Sequence, residues 1–119
     1  MAHPVLLVED DDEVREGLRA VLESQGFDVE CAQDGLEALG ALWRGFRPCV
    51  ILLDVMLPRV DGYVFRNLQR ANTRWADIPV IVVSALSELP DRADMLQPLA
   101  WFRKPFDVDA LTETLTRYC

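Results

Sequence analysis

Acidic side chains follow directly after two uninterrupted apolar runs of this sequence. Glu9 and Asp10 come after residues 5–8, and Asp54 comes after residues 49–53. Three carboxylates brought to one edge of a fold would repel one another, and at least one would be driven toward protonation unless a cation lay among them. Mg²⁺ prefers oxygen ligands, keeps several waters and is commonly completed by phosphate oxygens. The three acids therefore predict a magnesium site.

An aspartate beside such a cation can act as a nucleophile toward phosphorus. Attack by Asp54 would form an acyl phosphate, which requires neutralising its own charge and that of the phosphoryl oxygens. Ser84 and Lys104 also follow apolar segments, at 78–83 and 100–103. The Ser84 hydroxyl would donate to one phosphoryl oxygen, and Lys104 would reach another as a point charge.

The apolar pattern predicts the elements that position these residues. Continuous apolar runs at three places are typical of strands buried on both faces of a parallel sheet. Residues 27–31 alternate between apolar and acidic, which predicts a strand nearer the sheet edge, and 100–103 form a short last strand. Helical stripes separate the strands at 13–25, 36–43, 64–71, 91–97 and 111–118. The pattern predicts the doubly wound α/β class, whose ligand sites lie at the carboxyl ends of strands.

Composition limits what this chain can do. Its 119 residues are 50% hydrophobic, which predicts one domain over residues 1–119. A net charge of −8 and the absence of long Lys/Arg runs argue against direct nucleic acid binding, and no apolar stretch is long enough to span a membrane. The odd cysteine count without a C-x-x-C pair predicts reduced thiols and a cytoplasmic protein, and the single histidine, His3, argues against zinc.

Four segments of the sequence together resemble the signature set of response-regulator receiver domains, and the resemblance covers nearly the whole chain. The segments are Leu7-Val8-Glu9-Asp10-Asp11, Leu52-Leu53-Asp54-Val55-Met56-Leu57-Pro58 followed by Asp61-Gly62, Val83-Ser84-Ala85, and Lys104-Pro105-Phe106. The resemblance implies a flavodoxin-like, five-stranded parallel sheet of order 2-1-3-4-5 with five helices. It also implies a signalling domain that carries out chemistry only on itself.

The same resemblance assigns roles to individual residues. Glu9, Asp10, Asp54 and the backbone carbonyl of Met56 would hold Mg²⁺, and Asp54 would be the phosphoacceptor. Ser84 would be the switch hydroxyl, Lys104 the essential lysine in a cis bond to Pro105, and Trp101 the switch aromatic. The implied partners are a sensor histidine kinase or phosphotransfer protein and an output domain or downstream protein, with a possible homodimer.

The sequence departs from the family pattern in two places. The stretch between Ser84 and Lys104 is shorter than usual and carries Pro90 and Pro98, so the fourth helix is predicted to be short or irregular. Tryptophan replaces the usual tyrosine or phenylalanine at Trp101, and its bulk predicts a weakened aromatic switch.

Two alternative functions, and simpler roles for single residues, stand beside the main interpretation. A Mg²⁺-dependent phosphatase with an aspartyl nucleophile would need a second acid two residues after Asp54, where this chain has Met56. A receiver-like interaction domain that no longer switches is the other alternative function. At single positions, Trp101 is equally consistent with plain core packing, and the acids from Asp11 to Glu13 with a solvated helix start.

Overall fold

Five parallel strands alternate with four helices in the part of the chain that the structure describes. The computed structural model describes residues 3–55, 57, 59–84, 96–104 and 107–119. The elements are β1 (Pro4–Val8), α1 (Asp12–Ser24), β2 (Asp28–Ala32), α2 (Gly35–Trp43), β3 (Val50–Asp54), α3 (Gly62–Ala71), β4 (Val80–Ser84), β5 (Ala100–Arg103) and α4 (Val108–Tyr118). The strands pair in the order β2-β1-β3-β4-β5, which confirms the doubly wound class and the edge position of the alternating strand.

The predicted count of five helices is not matched. Within the described residues the structure has four helices, and the last of them, α4, is the helix predicted around 111–118. The short helix predicted at 91–97 falls mostly outside those residues, as do Met56, Pro90 and Pro105. The metal-binding carbonyl, the irregular fourth helix and the cis bond therefore stay predictions.

The sheet separates two apolar clusters, one on each face. Alternate residues of the central strands point to opposite faces, so Leu6 and Leu53 pack toward α2 and α3, whereas Leu7 and Leu52 pack toward α1 and α4. Every residue of β3 and β4 is buried, as expected for central strands covered by helices on both sides. The sheet thereby provides a rigid frame whose carboxyl ends carry the candidate site.

Each of the four described helices begins at an aspartate cap. Asp11, Asp34, Asp61 and Asp107 accept hydrogen bonds from backbone N–H groups of the first turns of α1, α2, α3 and α4. An aspartate in this position satisfies amides that have no partner inside the helix. Its negative charge also interacts favourably with the positive end of the helix dipole. Asp11 is thus a cap, as one interpretation of the acidic run predicted. No helix among these elements has the length and apolarity needed to cross a membrane.

The prediction of reduced thiols is wrong for two of the three cysteines. The structure joins Cys49 and Cys119 by a disulfide, with Cα atoms 5.5 Å apart, and leaves Cys31 as a free thiol. Cys49 lies just before β3, and Cys119 follows α4, which packs on that side of the sheet. The pair is separated by 70 residues, so only the folded topology brings the two side chains together.

Candidate functional site

Three carboxylates meet where the strand order of the sheet reverses. Glu9 directly follows β1, and Asp54 is the last residue of the neighbouring strand β3. The chain leaves β1 toward β2 on one side and reaches β3 on the other, which opens a crevice at the carboxyl ends of these strands. Glu9, Asp10 and Asp54 each offer an oxygen there, and these oxygens all lie within 4.8 Å of one another.

Lys104 supplies a positive charge to this acidic cluster. It follows β5, and its backbone N–H donates to the Ser84 carbonyl at 2.7 Å. Its ammonium donates to Asp54 Oδ2 at 3.0 Å and also to Glu9 Oε1. Burial lowers the pKa of this ammonium, but the hydrogen bonds to Glu9 and Asp54 raise the pKa by more. The pKa of Lys104 therefore lies above its ordinary value.

Asp10 lies in surroundings that disfavour its negative charge. Desolvation, followed by the hydrogen bond and the charge of Glu9, raises the pKa of this carboxyl above its ordinary value. A raised pKa means that the site disfavours a further negative charge despite the nearby lysine. An all-oxygen donor set with excess negative charge suits a hard divalent cation such as Mg²⁺, so the residues fit the predicted ion.

Glu9 is fixed by several contacts that the sequence did not reveal. Its residue is 2% exposed, its N–H donates to the Ala32 carbonyl at 3.0 Å, and its carbonyl accepts from the Arg15 guanidinium at 3.0 Å. Glu9 Oε2 also accepts from the Asp11 N–H at 3.2 Å. A carboxylate held in this way is oriented before any ligand arrives. Arg15, one turn inside α1, is therefore a positioning residue that sequence reasoning missed.

The remaining predicted residues occupy the two strands on the other side of Asp54. Ser84 is the last residue of β4 and is fully buried, and Asp54 pairs with its neighbour Val83. Trp101 lies on β5 beside Val82 and packs, half-buried, against the apolar cluster beneath α2 and α3. Ser84 thus lies at the same carboxyl-terminal end of the strands as Asp54. Trp101 lies on the sheet face that α2 and α3 cover.

Gly62 allows α3 to start very close to the Asp54 backbone. Its N–H donates to the Val55 carbonyl at 3.2 Å. A Cβ atom at this position would lie 2.6 Å from the Val55 Cα and 2.9 Å from the Asp54 carbonyl oxygen. Backbone atoms at such distances cannot give way without moving the strand end. The Asp61-Gly62 pair is part of the signature seen in the sequence, but this close approach appears only in the fold.

A second contact fixes the loop that follows Asp54. Arg59, whose φ is +60°, donates through Nε to the buried carboxylate of Asp34 at 2.6 Å. The N–H of Gly35 donates to the Val60 carbonyl at 3.0 Å. The loop between β3 and α3 is therefore attached to the start of α2. No local sequence signal connects Asp34 with a residue 25 positions away.

Comparison with known proteins gives one consistent result. Residues 5–116 match the family model described as the response regulator receiver domain. The response regulator MprA of Mycobacterium leprae is 41% identical over 116 residues, covering 95% of this chain and 48% of that protein. The chain thus spans about half the length of the curated relatives it matches.

Solved structures agree with the sequence relatives. A response regulator receiver protein from Pseudomonas putida has a TM-score of 0.90 at 28% identity, covering 98% of both chains. The receiver domain of sensor histidine kinase PA1611 from Pseudomonas aeruginosa, which has a magnesium ion coordinated in its active site cleft, has a TM-score of 0.89 at 29% identity, covering 99% of this chain and 98% of that one. The chain therefore belongs to the response regulator receiver domain family.

Proposed function

We propose that this chain is a phosphorylation switch in which Asp54 accepts a phosphoryl group in a Mg²⁺-dependent reaction. The observation that carries the proposal is the convergence of Glu9, Asp10, Asp54 and the Lys104 ammonium at one edge of the sheet. Glu9, Asp10 and Asp54, together with the carbonyl of Met56, would hold the ion. Bound Mg²⁺ would neutralise charge on Asp54 and on the phosphoryl oxygens.

The reaction follows from the roles of the side chains. One carboxylate oxygen of Asp54 attacks phosphorus, and the bond between phosphorus and the donor, such as a kinase phosphohistidine, breaks. Lys104, whose raised pKa keeps it charged, stabilises the negative charge on the transferred group. The Ser84 hydroxyl donates to a phosphoryl oxygen. The product is an acyl phosphate on the protein itself, so the chain is a substrate of phosphotransfer and has no separate substrate to turn over.

Phosphorylation would then shift the domain between two states. It adds about −1.5 to −2 charges at pH 7 to the pocket. Ser84 moves toward the new oxygens. Trp101 lies on β5 two residues before Arg103, which pairs with Ser84, and the Trp101 ring repacks as Ser84 moves. Differential contacts of this kind bias a pre-existing equilibrium. The bulk of Trp101 would make this aromatic movement smaller than in a domain with tyrosine there.

The partners follow from the family. A sensor histidine kinase or a phosphotransfer protein would supply the phosphoryl group, and an output domain, a downstream protein or a second copy would respond. With a net charge of −8, this domain would not itself bind nucleic acid. We place it in the cytoplasm, where such partners act.

The first test combines intact-mass spectrometry with tryptophan fluorescence, using Mg²⁺ with a small phosphodonor or with beryllofluoride. The wild type is compared with Asp54→Ala and with Asp28→Ala, which removes the same charge from an exposed position at the start of β2. We expect a Mg²⁺-dependent phosphoryl adduct and a fluorescence change in the wild type and Asp28→Ala, and neither in Asp54→Ala.

A different pattern would replace the proposal. A phosphoryl adduct that persists in Asp54→Ala would mean that another residue is the acceptor. Mg²⁺ binding without any adduct or fluorescence change in the wild type would leave a receiver-like interaction domain that no longer switches.

A further inference from the structure

Helices α2 and α3 expose apolar side chains that the core does not use. On α2, Leu36 is 49% and Trp43 is 65% exposed, and on α3, Val64 and Leu68 are each 46% exposed. Leu36 and Trp43 lie two helical turns apart, and Val64 and Leu68 lie one turn apart, so each helix has an outward apolar stripe. The inward face of α2 is formed by different residues, namely Gly35, Ala38, Ala41 and Leu42.

A groove lies between these two stripes. It has a volume of about 300 Å³ and is lined by Leu39, Trp43, Leu68, Ala71, Asn72 and Trp75. We call it the α2–α3 groove. Its lining is at the carboxyl-terminal ends of α2 and α3, whereas Gly35, at the start of α2, contacts the loop that follows Asp54. The groove is therefore at the end of these helices away from the acidic site, and an occupant would leave that site open.

Trp43 is held in place without being covered. Its ring meets the buried ring of Trp75 edge-to-face, with centroids 5.2 Å apart and an interplanar angle of 89°. The guanidinium carbon of Arg74 lies 5.6 Å from the centroid of the Trp43 ring. Such contacts restrain an indole ring at low entropic cost, and Trp and Arg are the residue types most often found at energetic centres of protein interfaces.

Arg47 and Arg74 place positive charge beside the groove in a chain with 20 acidic and 12 basic residues. The Arg74 guanidinium lies next to the Trp43 ring, and the Arg47 guanidinium donates to the Arg74 carbonyl at 2.8 Å. These two charges favour an occupant that carries negative charge.

A purely structural explanation accounts for only part of this arrangement. Basic side chains near the carboxyl ends of α2 and α3 interact favourably with the helix dipoles, which explains Arg44 and Arg70. The helix dipoles explain neither the position of Arg74 nor the large apolar side chain of Trp43 that remains exposed beside it. Contiguous exposed apolar surface on a soluble domain usually marks an interaction site.

We propose that the α2–α3 groove binds an acidic amphipathic helix of a partner protein. A helix lying between two helices presents apolar residues at i, i+3 or i+4, and i+7 to such a groove. Acidic residues flanking that stripe would face Arg47 and Arg74. The proposal does not depend on phosphorylation of Asp54, because the groove and the acidic site share no residue.

The test uses a synthetic amphipathic helical peptide of roughly four turns, with a leucine stripe and glutamates elsewhere. A second peptide of the same length, with lysines in place of the glutamates, is the control. Binding is followed by the indole N–H signals in NMR titrations of the whole chain. Trp43 and Trp75 report on the groove, and Trp101 on β5 is an internal reference.

We expect saturable shifts of the Trp43 and Trp75 signals with the glutamate peptide only. Arg74→Glu and Trp43→Ser should each weaken this binding about tenfold, as for interface residues of this type. Arg117→Glu on α4 changes the charge equally on the opposite face of the sheet and should bind as the wild type does. The melting temperature of each variant shows that it is folded.

Three outcomes would overturn the proposal. Equal binding of both peptides would exclude recognition of acidic residues, and binding of neither would exclude an acidic helix as the occupant. A dimer in light scattering that Trp43→Ser abolishes would identify a second copy of the chain as the occupant instead.

Discussion

At the scale of single residues, the site depends on a balance of charge. Glu9 and Asp54 are almost completely buried, and both accept hydrogen bonds from the Lys104 ammonium. A buried carboxylate without a partner is far more costly than a paired one. Lys104 therefore has a structural role in the metal-free domain as well as its proposed role toward the phosphoryl group.

Replacing Lys104 with methionine tests this structural role. We expect Lys104→Met to lower the free energy of unfolding in metal-free buffer by about 2 kcal/mol, less than the full loss for a buried pair because the lysine is partly exposed. Mg²⁺ should recover more stability in this variant than in the wild type, since the ion becomes the main neutralising charge. Urea unfolding with EDTA and with Mg²⁺ measures both effects.

Arg117→Met is the matched control, because it removes the same charge from an exposed position on α4, where the ion pair with exposed Glu113 contributes little stability. If both variants lose equal stability, general electrostatics rather than the acidic cluster would be responsible.

At the scale of elements, the close packing of α3 against the end of β3 fixes the backbone that carries Asp54. We expect Gly62→Ala to destabilise the domain by about 1–3 kcal/mol, because the added Cβ would collide with backbone atoms of Asp54 and Val55. Mg²⁺ affinity should fall as well, because the collision can be relieved only by moving the strand end or the helix. Urea unfolding and Mg²⁺ titration measure the two effects.

Gly17→Ala provides the control for this prediction. Gly17 lies inside α1, and a Cβ added there would meet no atom from outside its own helix backbone within 4 Å, so alanine should stabilise the helix by about 0.5–1 kcal/mol. Similar behaviour of the two variants would show that Gly62 acts through intrinsic helix propensity and not through contact with the strand.

The sequence was informative wherever the responsible interactions are local. Continuous apolar runs identified β1, β3 and β4, and the alternation from Phe27 to Cys31 identified an edge strand close to the observed Asp28–Ala32. The acids at strand ends were correctly expected to meet, because parallel topology places carboxyl ends together. The predicted β3 ended one residue early, since Asp54 is polar but its backbone still pairs with Val83.

Contacts between distant segments could not be predicted in this way. The Arg59–Asp34 pair and the Gly62 approach depend on how loops pack after the sheet has formed. Buried Arg66 is similar: it donates to the Leu96 and Gln97 carbonyls and to Gln69, and burial lowers its pKa to about 10. A charged residue in a helix gives no sequence signal that it will be buried.

At the scale of the whole molecule, the Cys49–Cys119 disulfide attaches the end of α4 to the amino-terminal end of β3. This end of the strand lies away from the acidic site. In the chain-entropy description, closing a loop with a sequence separation of 70 residues stabilises a fold by up to about 4 kcal/mol. We expect reduction, or the double variant Cys49→Ser with Cys119→Ser, to lower the free energy of unfolding while the Mg²⁺ response remains. Urea unfolding with and without reductant measures the change.

A thiol count is the direct control. Without reductant, only Cys31 should react, and slowly at about pH 8, because burial raises the pKa of this thiol and moves its thiolate to higher pH. Cys31→Ser should remove that reaction and leave stability under both conditions largely unchanged. Three reactive thiols in the unfolded, unreduced chain would contradict the disulfide.

The order of the site residues along the chain has a consequence for synthesis on the ribosome. Glu9, Asp10 and Asp54 lie on β1 and β3 or next to them, and these strands pair directly with each other. Lys104 follows β5 and emerges 50 residues after Asp54. The three acids are therefore made before their lysine, but a domain generally folds as a unit. We expect the carboxylates to come together only after β5 has been made, with Lys104 already available to neutralise them.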